Sequence, residues 1–104
     1  MHRASEVSRA DVDAMHGPTV LEFGTAWCGV CRAAQPIIAD ALAGHPGVRH
    51  LKVEDGPGRP LGRSFGVKLW PTLIFLRDGH EVERLVRPRD ARAIVRALTA
   101  IDPR

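Results

Sequence analysis

The chain has 104 residues, of which 44% are hydrophobic and 26% are charged, and its formal net charge is +3. This length fits one domain over residues 1–104, and the composition excludes wholesale disorder and an apolar run long enough to cross a bilayer. No aromatic residues alternate with the scattered arginines, so we expect no nucleic-acid binding. The first fifteen residues lack the apolar segment of a signal peptide, so we expect a cytoplasmic protein without a membrane partner. We also expect a monomer.

The first half of the chain predicts helices that alternate with strands. Ser8 can cap the first helix, Gly44 can end the second, and Pro36 should bend the second. The strand segments are short and rich in apolar or β-branched residues, whereas the second helix has apolar residues at helical spacing. The predicted elements, in chain order, are a strand near Ser5–Val7, a helix over Arg9–Met15, a strand over Thr19–Phe23, a helix over Cys28–Ala43 and a strand over Val48–Val53.

The second half predicts a hairpin between two helices. Asp78 and Gly79 form a dipeptide typical of a tight turn between paired strands. The predicted elements are a helix over Leu61–Phe65, strands over Thr72–Leu76 and Glu81–Val86, and a closing amphipathic helix over Asp90–Ile101. This order predicts an α/β fold with a mixed sheet of four or five strands and helices on both faces.

The only two cysteines lie three residues apart, directly after a predicted buried strand and at the start of the longest helix. A C-x-x-C pair in this context is typical of a thiol–disulfide redox site. Unpaired backbone N–H groups and the positive end of the helix dipole favour a thiolate at Cys28. We therefore predict that Cys28 is the attacking nucleophile, and that Cys31, one turn deeper and more shielded, resolves the mixed disulfide.

Two other interpretations of the cysteine pair remain open but are less favoured. A structural disulfide here would close a ring of four residues and stabilise the fold by only about 2 kcal/mol. A zinc site needs four ligands, and the five histidines supply no second pair at zinc-finger spacing. We therefore expect no bound metal and no cofactor.

With further motifs at matching separations, the chain resembles the thioredoxin family over nearly its whole length. The resemblance implies a thioredoxin fold and protein disulfides as substrates. The segments that carry it are the strand ending in Phe23, the sequence Trp27-Cys28-Gly29-Val30-Cys31, Pro36 in the following helix, Lys52 in the next strand, Gly66-Val67 before Trp70-Pro71-Thr72, and Asp78-Gly79.

The resemblance also implies which residues meet the substrate. Pro71 is expected to follow a cis peptide bond and to pack beside the cysteines. The backbone of Trp70 is expected to hydrogen-bond an extended substrate segment, much as an added β-strand would. Trp27, Gly29 and Val30, around the cysteines, are expected to complete this surface.

A buried carboxylate is expected beneath the cysteines, because Glu22 lies where thioredoxins carry an aspartate that relays a proton. Burial should raise the pKa of Glu22, which could then accept the Cys31 proton through a water molecule. Lys52 matches the partner lysine of the family and is expected to pair with Glu22. The alternative is that Glu22 is a solvated residue on a half-exposed strand.

Four positions depart from the family pattern. Val30 replaces the proline of thioredoxin itself, which leaves the redox potential open. Gly24 replaces a tryptophan, and the bulky Trp70 is expected either to refill that space or to narrow the groove. Arg87 falls at a substrate-groove glycine, where a long cation could block general substrates, select acidic ones, or swing into solvent.

The sequence thus predicts a protein-disulfide reductase, recharged by a thioredoxin reductase or a similar dithiol donor. A second hypothesis is a thioredoxin-fold binding or assembly module for one dedicated partner, with the cysteines secondary. A third is a disulfide oxidase or isomerase, which a reduction potential well above that of thioredoxins would favour.

Overall fold

The computed structural model describes residues 2–3 and 7–103, and within these it contains five strands and four helices. In chain order they are β1 (His2–Arg3), α1 (Arg9–Asp13), β2 (Pro18–Gly24), α2 (Gly29–Ala43), β3 (Arg49–Glu54), α3 (Pro60–Ser64), β4 (Thr72–Arg77), β5 (His80–Val86) and α4 (Ala91–Ile101).

The strands form one mixed sheet in the order β1-β3-β2-β4-β5. β3 runs parallel to both β1 and β2, whereas β4 is antiparallel to β2 and to β5. The mixed sheet predicted from the alternation of elements is confirmed. The prediction of a strand near Ser5–Val7 rests partly on Ser5 and Glu6, which lie outside the described residues; Val7 itself is not in a strand.

The predicted caps and the predicted turn are in place. The Ser8 hydroxyl accepts a hydrogen bond from the Asp11 amide, and the Asp11 carboxylate accepts one from the Ser8 amide, which together form a capping box. The Asp78-Gly79 turn has positive φ at both residues, as a two-residue hairpin requires. Helix α1 is shorter than predicted because Ala14 already caps its carboxyl end.

The sheet separates two apolar cores, and α2 and α4 pack together over one of its faces. The core on that face comprises Val20, Ala34, Ile38, Ala41, Leu73, Phe75, Ile94, Ala97, Leu98 and Ile101. The core on the other face, which includes residues of α1 and α3, comprises Val12, Leu21, Phe23, Leu51, Val53, Leu61, Phe65, Ile74 and Leu76. Helices therefore cover both faces of the sheet, as predicted.

The cysteines lie at the start of the longest helix, α2, shortly after the end of the central strand β2. This junction stands at the carboxyl end of β2, beside the turn that leads into β4. Among the helices of residues 2–3 and 7–103, none has the length and hydropathy that a membrane span needs.

Candidate active site

Cys28 is the N-cap of α2 rather than its first helical residue. Its backbone is extended, and its Sγ accepts a hydrogen bond from the Cys31 amide at 3.2 Å. The sulfur thus takes the place that a serine or aspartate oxygen has in an ordinary N-cap. Since an N-cap acceptor meets the unpaired amides and the positive dipole end of the helix, this position stabilises negative charge on the sulfur.

The thiol of Cys28 is acidified by its surroundings. Burial alone would raise its pKa, because the residue is only 8% exposed. Hydrogen bonds from the Cys31 thiol and from the Cys31 and Val30 amides, with the positive charge of Arg87, outweigh burial and lower the pKa below its ordinary value. This agrees with the prediction that Cys28 is the nucleophile, because the thiolate is the attacking species.

Cys31 lies one turn deeper and has the opposite character. It is 5% exposed, and burial is the main cause that raises its pKa to about 11. Its hydrogen bond to Cys28 and the negative charges of Cys28 and Glu22 act in the same direction, against a backbone hydrogen bond from Thr25. Both residues are free thiols, so the pair is a dithiol with one acidic and one protonated sulfur.

Glu22 is buried beneath the cysteines as predicted, but the predicted rise in its pKa is wrong. Burial raises the pKa, yet hydrogen bonds from His50 and Gln35 overcome that effect and lower it. His50 Nε2 lies 2.7 Å from one carboxylate oxygen, and Gln35 Nε2 donates to the other at 2.7 Å. The alternative of a solvated Glu22 is also wrong, because the residue is 4% exposed.

Lys52 is not the direct partner of Glu22 that the sequence suggested. The two residues are level in the β2–β3 register, but Lys52 contributes only the weakest of the effects that lower the pKa of Glu22. His50 lies two residues before Lys52, on the same face of β3, and it contacts one carboxylate oxygen while Gln35 bonds the other. Both oxygens of Glu22 are therefore engaged by residues other than Lys52. His50 and Gln35 are the residues that sequence reasoning missed, although this alternation along β3 could have indicated His50.

Glu22 and Cys31 both line a cavity of about 410 Å³. It is lined by Glu22, Gly24, Thr25, Ala26, Cys31, Arg32, Gln35, Lys52, Val53 and Glu54. Gly24 faces Cys31 so closely that a Cβ atom would stand 2.7 Å from its Sγ. Because Trp70 is not among the lining residues, the expectation that it refills the space left at Gly24 is wrong.

Trp70 instead forms an aromatic wall with Trp27. The two rings meet edge to face with centroids 5.6 Å apart, and Trp70 Nε1 donates to Asp55 Oδ2 at 2.8 Å. The peptide bond between Trp70 and Pro71 is cis, as the resemblance implied. Trp27 is 71% exposed, so this wall is open to a partner.

Arg87, directly after β5, is tied to the same loop. Its amide donates to the Pro71 carbonyl at 2.9 Å, and its Nε donates to the Trp70 carbonyl at 2.8 Å. Its φ of 52° lies in the left-handed region, where glycine is common. Although Arg87 is exposed, its Nε bond holds the side chain against the Trp70-Pro71 loop, and its charge acts on the Cys28 thiol.

Val30 and Gly29 are exposed at the start of α2, next to the nucleophile. Val30 opens a groove of about 280 Å³ whose lining residues are Val30, Ala33, Ala34, Ile37, Arg87, Pro88 and Arg89. The floor of this groove is apolar and its rim carries two arginines.

In the described part of the chain, no three His, Cys, Asp or Glu side chains are grouped so that they could hold a metal ion.

Comparisons with known proteins agree with this geometry. The family model described as Thioredoxin matches residues 3–100. A thioredoxin of Chlamydia muridarum is 37% identical over 84 residues, which are 80% of this chain and 81% of that protein. A thioredoxin H-type 1 of Nicotiana tabacum is 39% identical over 67 residues, which are 64% of this chain but only 53% of the tobacco protein.

A solved structure is similar over almost the whole chain. It is thioredoxin 2 from Pseudomonas aeruginosa PAO1 in its reduced form, with 55% sequence identity and a TM-score of 0.85. The match covers 96% of this chain and 93% of that one.

Proposed function

Because this chain belongs to the thioredoxin family of thiol–disulfide oxidoreductases, we propose that it acts mainly as a reductase of protein disulfides, with Cys28 as nucleophile and Cys31 as resolving thiol. One observation carries the division of roles. Cys28 Sγ caps α2 and accepts the Cys31 amide, whereas the Cys31 thiol is deeper and has a pKa raised to about 11.

The reaction has two displacement steps. The Cys28 thiolate attacks one sulfur of the target disulfide, forms a mixed disulfide and releases the first target thiolate. Cys31 then loses its proton and attacks Cys28 Sγ, which forms the Cys28–Cys31 disulfide and releases the second target thiolate. The protein dithiol is oxidised by two electrons, and the target disulfide is reduced by two.

Glu22 is the acceptor we propose for the Cys31 proton, by way of water in the cavity that both residues line. Its lowered pKa keeps the carboxylate ionised near neutral pH, so it can accept a proton, although as a weaker base than a carboxylate with a raised pKa. Lys52, which lines the same cavity, supports the charge of Glu22 from β3. The pH dependence of the resolving step in Glu22→Gln tests this role.

The substrate surface that we propose surrounds Cys28 on three sides. Trp27 and Trp70 form the aromatic side. Gly29 and Val30, at the start of α2, form the second side. The loop at Pro71, with Arg87 bonded to it, forms the third side. A target segment in extended conformation would hydrogen-bond the backbone of Trp70, as an added strand does.

We further propose a monomer in the cytoplasm, recharged by a thioredoxin reductase or a similar dithiol donor. A reducing compartment would keep the dithiol in the form that the first step needs. Sedimentation of the purified protein, and alkylation of its thiols in intact cells, test the two statements.

Insulin reduction with dithiothreitol as electron donor tests the function. We expect the wild type to accelerate precipitation of the insulin B chain and Cys28→Ser to fall to the uncatalysed rate. Reduced Cys31→Ser, freed of dithiothreitol before it meets insulin, should retain a mixed disulfide through Cys28. If neither the wild type nor the variants reduced insulin, while Cys28→Ser still bound a protein partner, the results would instead support a binding or assembly module.

The net direction is tested by the potential of the Cys28/Cys31 couple in glutathione or dithiothreitol buffers. A reductase should have a value near the roughly −270 mV of thioredoxins. A value between roughly −180 and −120 mV would indicate an isomerase or an oxidase.

A further inference from the structure

We propose that Arg87 makes this protein selective for target disulfides that carry acidic residues within two positions of the cysteine that Cys28 attacks. The inference rests on the proposed reductase function and names its substrate class. Arg87 is a cation held close enough to the nucleophile for its charge to act on the Cys28 thiol, and the family motifs do not require a cation there.

Arg87 is anchored at two points of one loop, once by its backbone amide and once by its guanidinium group. The Arg87 amide donates to the Pro71 carbonyl, and Nε donates to the Trp70 carbonyl at 2.8 Å. Because main chain and side chain are held together, a partner that binds this group loses less side-chain entropy than it would with a freely moving arginine.

Most of the hydrogen-bonding capacity of Arg87 is still available. A guanidinium group has five N–H donors, and the bond to Trp70 uses only the one on Nε. Among residues 2–3 and 7–103, neither terminal nitrogen of Arg87 donates a hydrogen bond or forms an ion pair with a carboxylate. Two parallel N–H groups of this kind match the two oxygens of a carboxylate.

The position of the group fits a target bound at Cys28. The charge of Arg87 acts on the Cys28 thiol, so the two lie within electrostatic range. In the mixed disulfide the target sulfur is about 2 Å from Cys28 Sγ. A target segment that runs from there along the start of α2 would enter the groove that Val30 and Arg87 both line. The Trp70 carbonyl has two lone pairs, so it can keep the Arg87 bond while it accepts a target amide.

The rim of the neighbouring groove carries a second positive charge, whereas the Asp55 carboxylate on the other side of the site is hydrogen-bonded to Trp70. Arg87 and Arg89 both line the rim of the groove of about 280 Å³, whose floor is apolar. The next acidic residue along the chain, Asp90, is engaged by Arg92 through its amide and its guanidinium group. An acidic target segment is therefore attracted to this rim, and a basic one is repelled.

A matched pair of peptide disulfides tests the proposal. Each is a disulfide-linked dimer of a short peptide with one cysteine, flanked on both sides by two glutamates or by two glutamines. Reduced protein is mixed with excess peptide, quenched in acid, and the released peptide thiol is separated and counted to give a second-order rate constant. We expect the wild type to favour the glutamate peptide about three- to tenfold at low salt, and less at 0.5 M salt.

The variants separate recognition from the effect of Arg87 on Cys28. Arg87→Gln also alters the ionisation of Cys28, but that changes both rates alike, so their ratio isolates recognition. The ratio should fall to about one in Arg87→Gln and recover in part in Arg87→Lys. The control Arg89→Gln also removes one positive charge from the groove rim, but it leaves the contact between Arg87 and Trp70 intact. This variant should keep most of the preference for the glutamate peptide.

Equal rates of the wild type with both peptides would overturn the proposal, as would an Arg87→Gln variant that reacts faster with both and keeps the ratio. Release of neither peptide thiol, with Cys28 still reduced, would instead contradict the proposed reductase function. The two failures are therefore distinguishable in one experiment.

Discussion

At the scale of single residues, the buried carboxylate shows how partners decide the charge of a site. Burial alone predicts a raised pKa for Glu22, and that prediction fails because both carboxylate oxygens are hydrogen-bonded. The partners come from β3 and α2, 28 and 13 residues away along the chain. The resemblance to thioredoxins identified the carboxylate, but it did not reveal the hydrogen bonds of Glu22, since these depend on the strand register and on the packing of a helix over the sheet.

The contact between His50 and Glu22 should be visible in acid stability. A carboxylate whose pKa is lowered in the folded state stabilises the fold above its unfolded-state pKa, near about 4.3, and this contribution is lost as the pH falls through the folded-state pKa. We therefore expect Glu22→Gln to be less stable than the wild type at pH 7, and the difference to shrink below about pH 4. Urea denaturation between pH 3 and pH 7 measures it.

A histidine variant tests the same contact from the other side. His50→Phe should lower the free energy of unfolding at pH 7 by about 1–3 kcal/mol, because Glu22 stays buried with one hydrogen bond fewer. The exposed His80 offers a control, and His80→Gln should change it by less than about 0.5 kcal/mol. Equal effects of the two histidine replacements would contradict the role of His50.

At the scale of elements, local chemistry predicted most boundaries to within one or two residues. Capping and turn residues did this well, because their hydrogen bonds are made within a few positions of the chain. The start of α2 differs by one residue from the prediction, and the difference matters. As the N-cap, Cys28 accepts the Cys31 amide, which it would not do as the first helical residue.

The turn between β4 and β5 provides a test at this scale. Gly79 has φ +80°, and a Cβ atom there would collide with the Asp13 carbonyl. We expect Gly79→Ala to lower the free energy of unfolding by at least about 1 kcal/mol, with a lower urea midpoint at an unchanged m-value. Gly29 is a matched control, because a Cβ there meets nothing within 4 Å. A Gly29→Ala variant as destabilised as Gly79→Ala would contradict this explanation.

At the scale of the whole molecule, the sequence predicted the order of elements and a mixed sheet with helices on both faces. It did not predict the strand order β1-β3-β2-β4-β5 or the β2–β3 register. These depend on contacts between distant segments, and the site inherits them: Cys28, Cys31 and Pro71 follow from motifs, whereas His50, Gln35 and the Asp55 contact of Trp70 do not. The Arg87 bond to Trp70 likewise links residues 17 positions apart.

The acidity of Cys28 is the property on which the proposed chemistry depends most directly. It is measured by the rate of iodoacetamide labelling of the reduced protein between pH 5 and pH 11, with peptide mapping to separate the two cysteines. We predict a labelling midpoint for Cys28 below the roughly 8.5 of a free thiol, while Cys31 stays largely unlabelled until the pH approaches its pKa of about 11. A Cys28 midpoint at or above that of a free thiol, or labelling of Cys31 first, would contradict the assignment of Cys28 as the nucleophile.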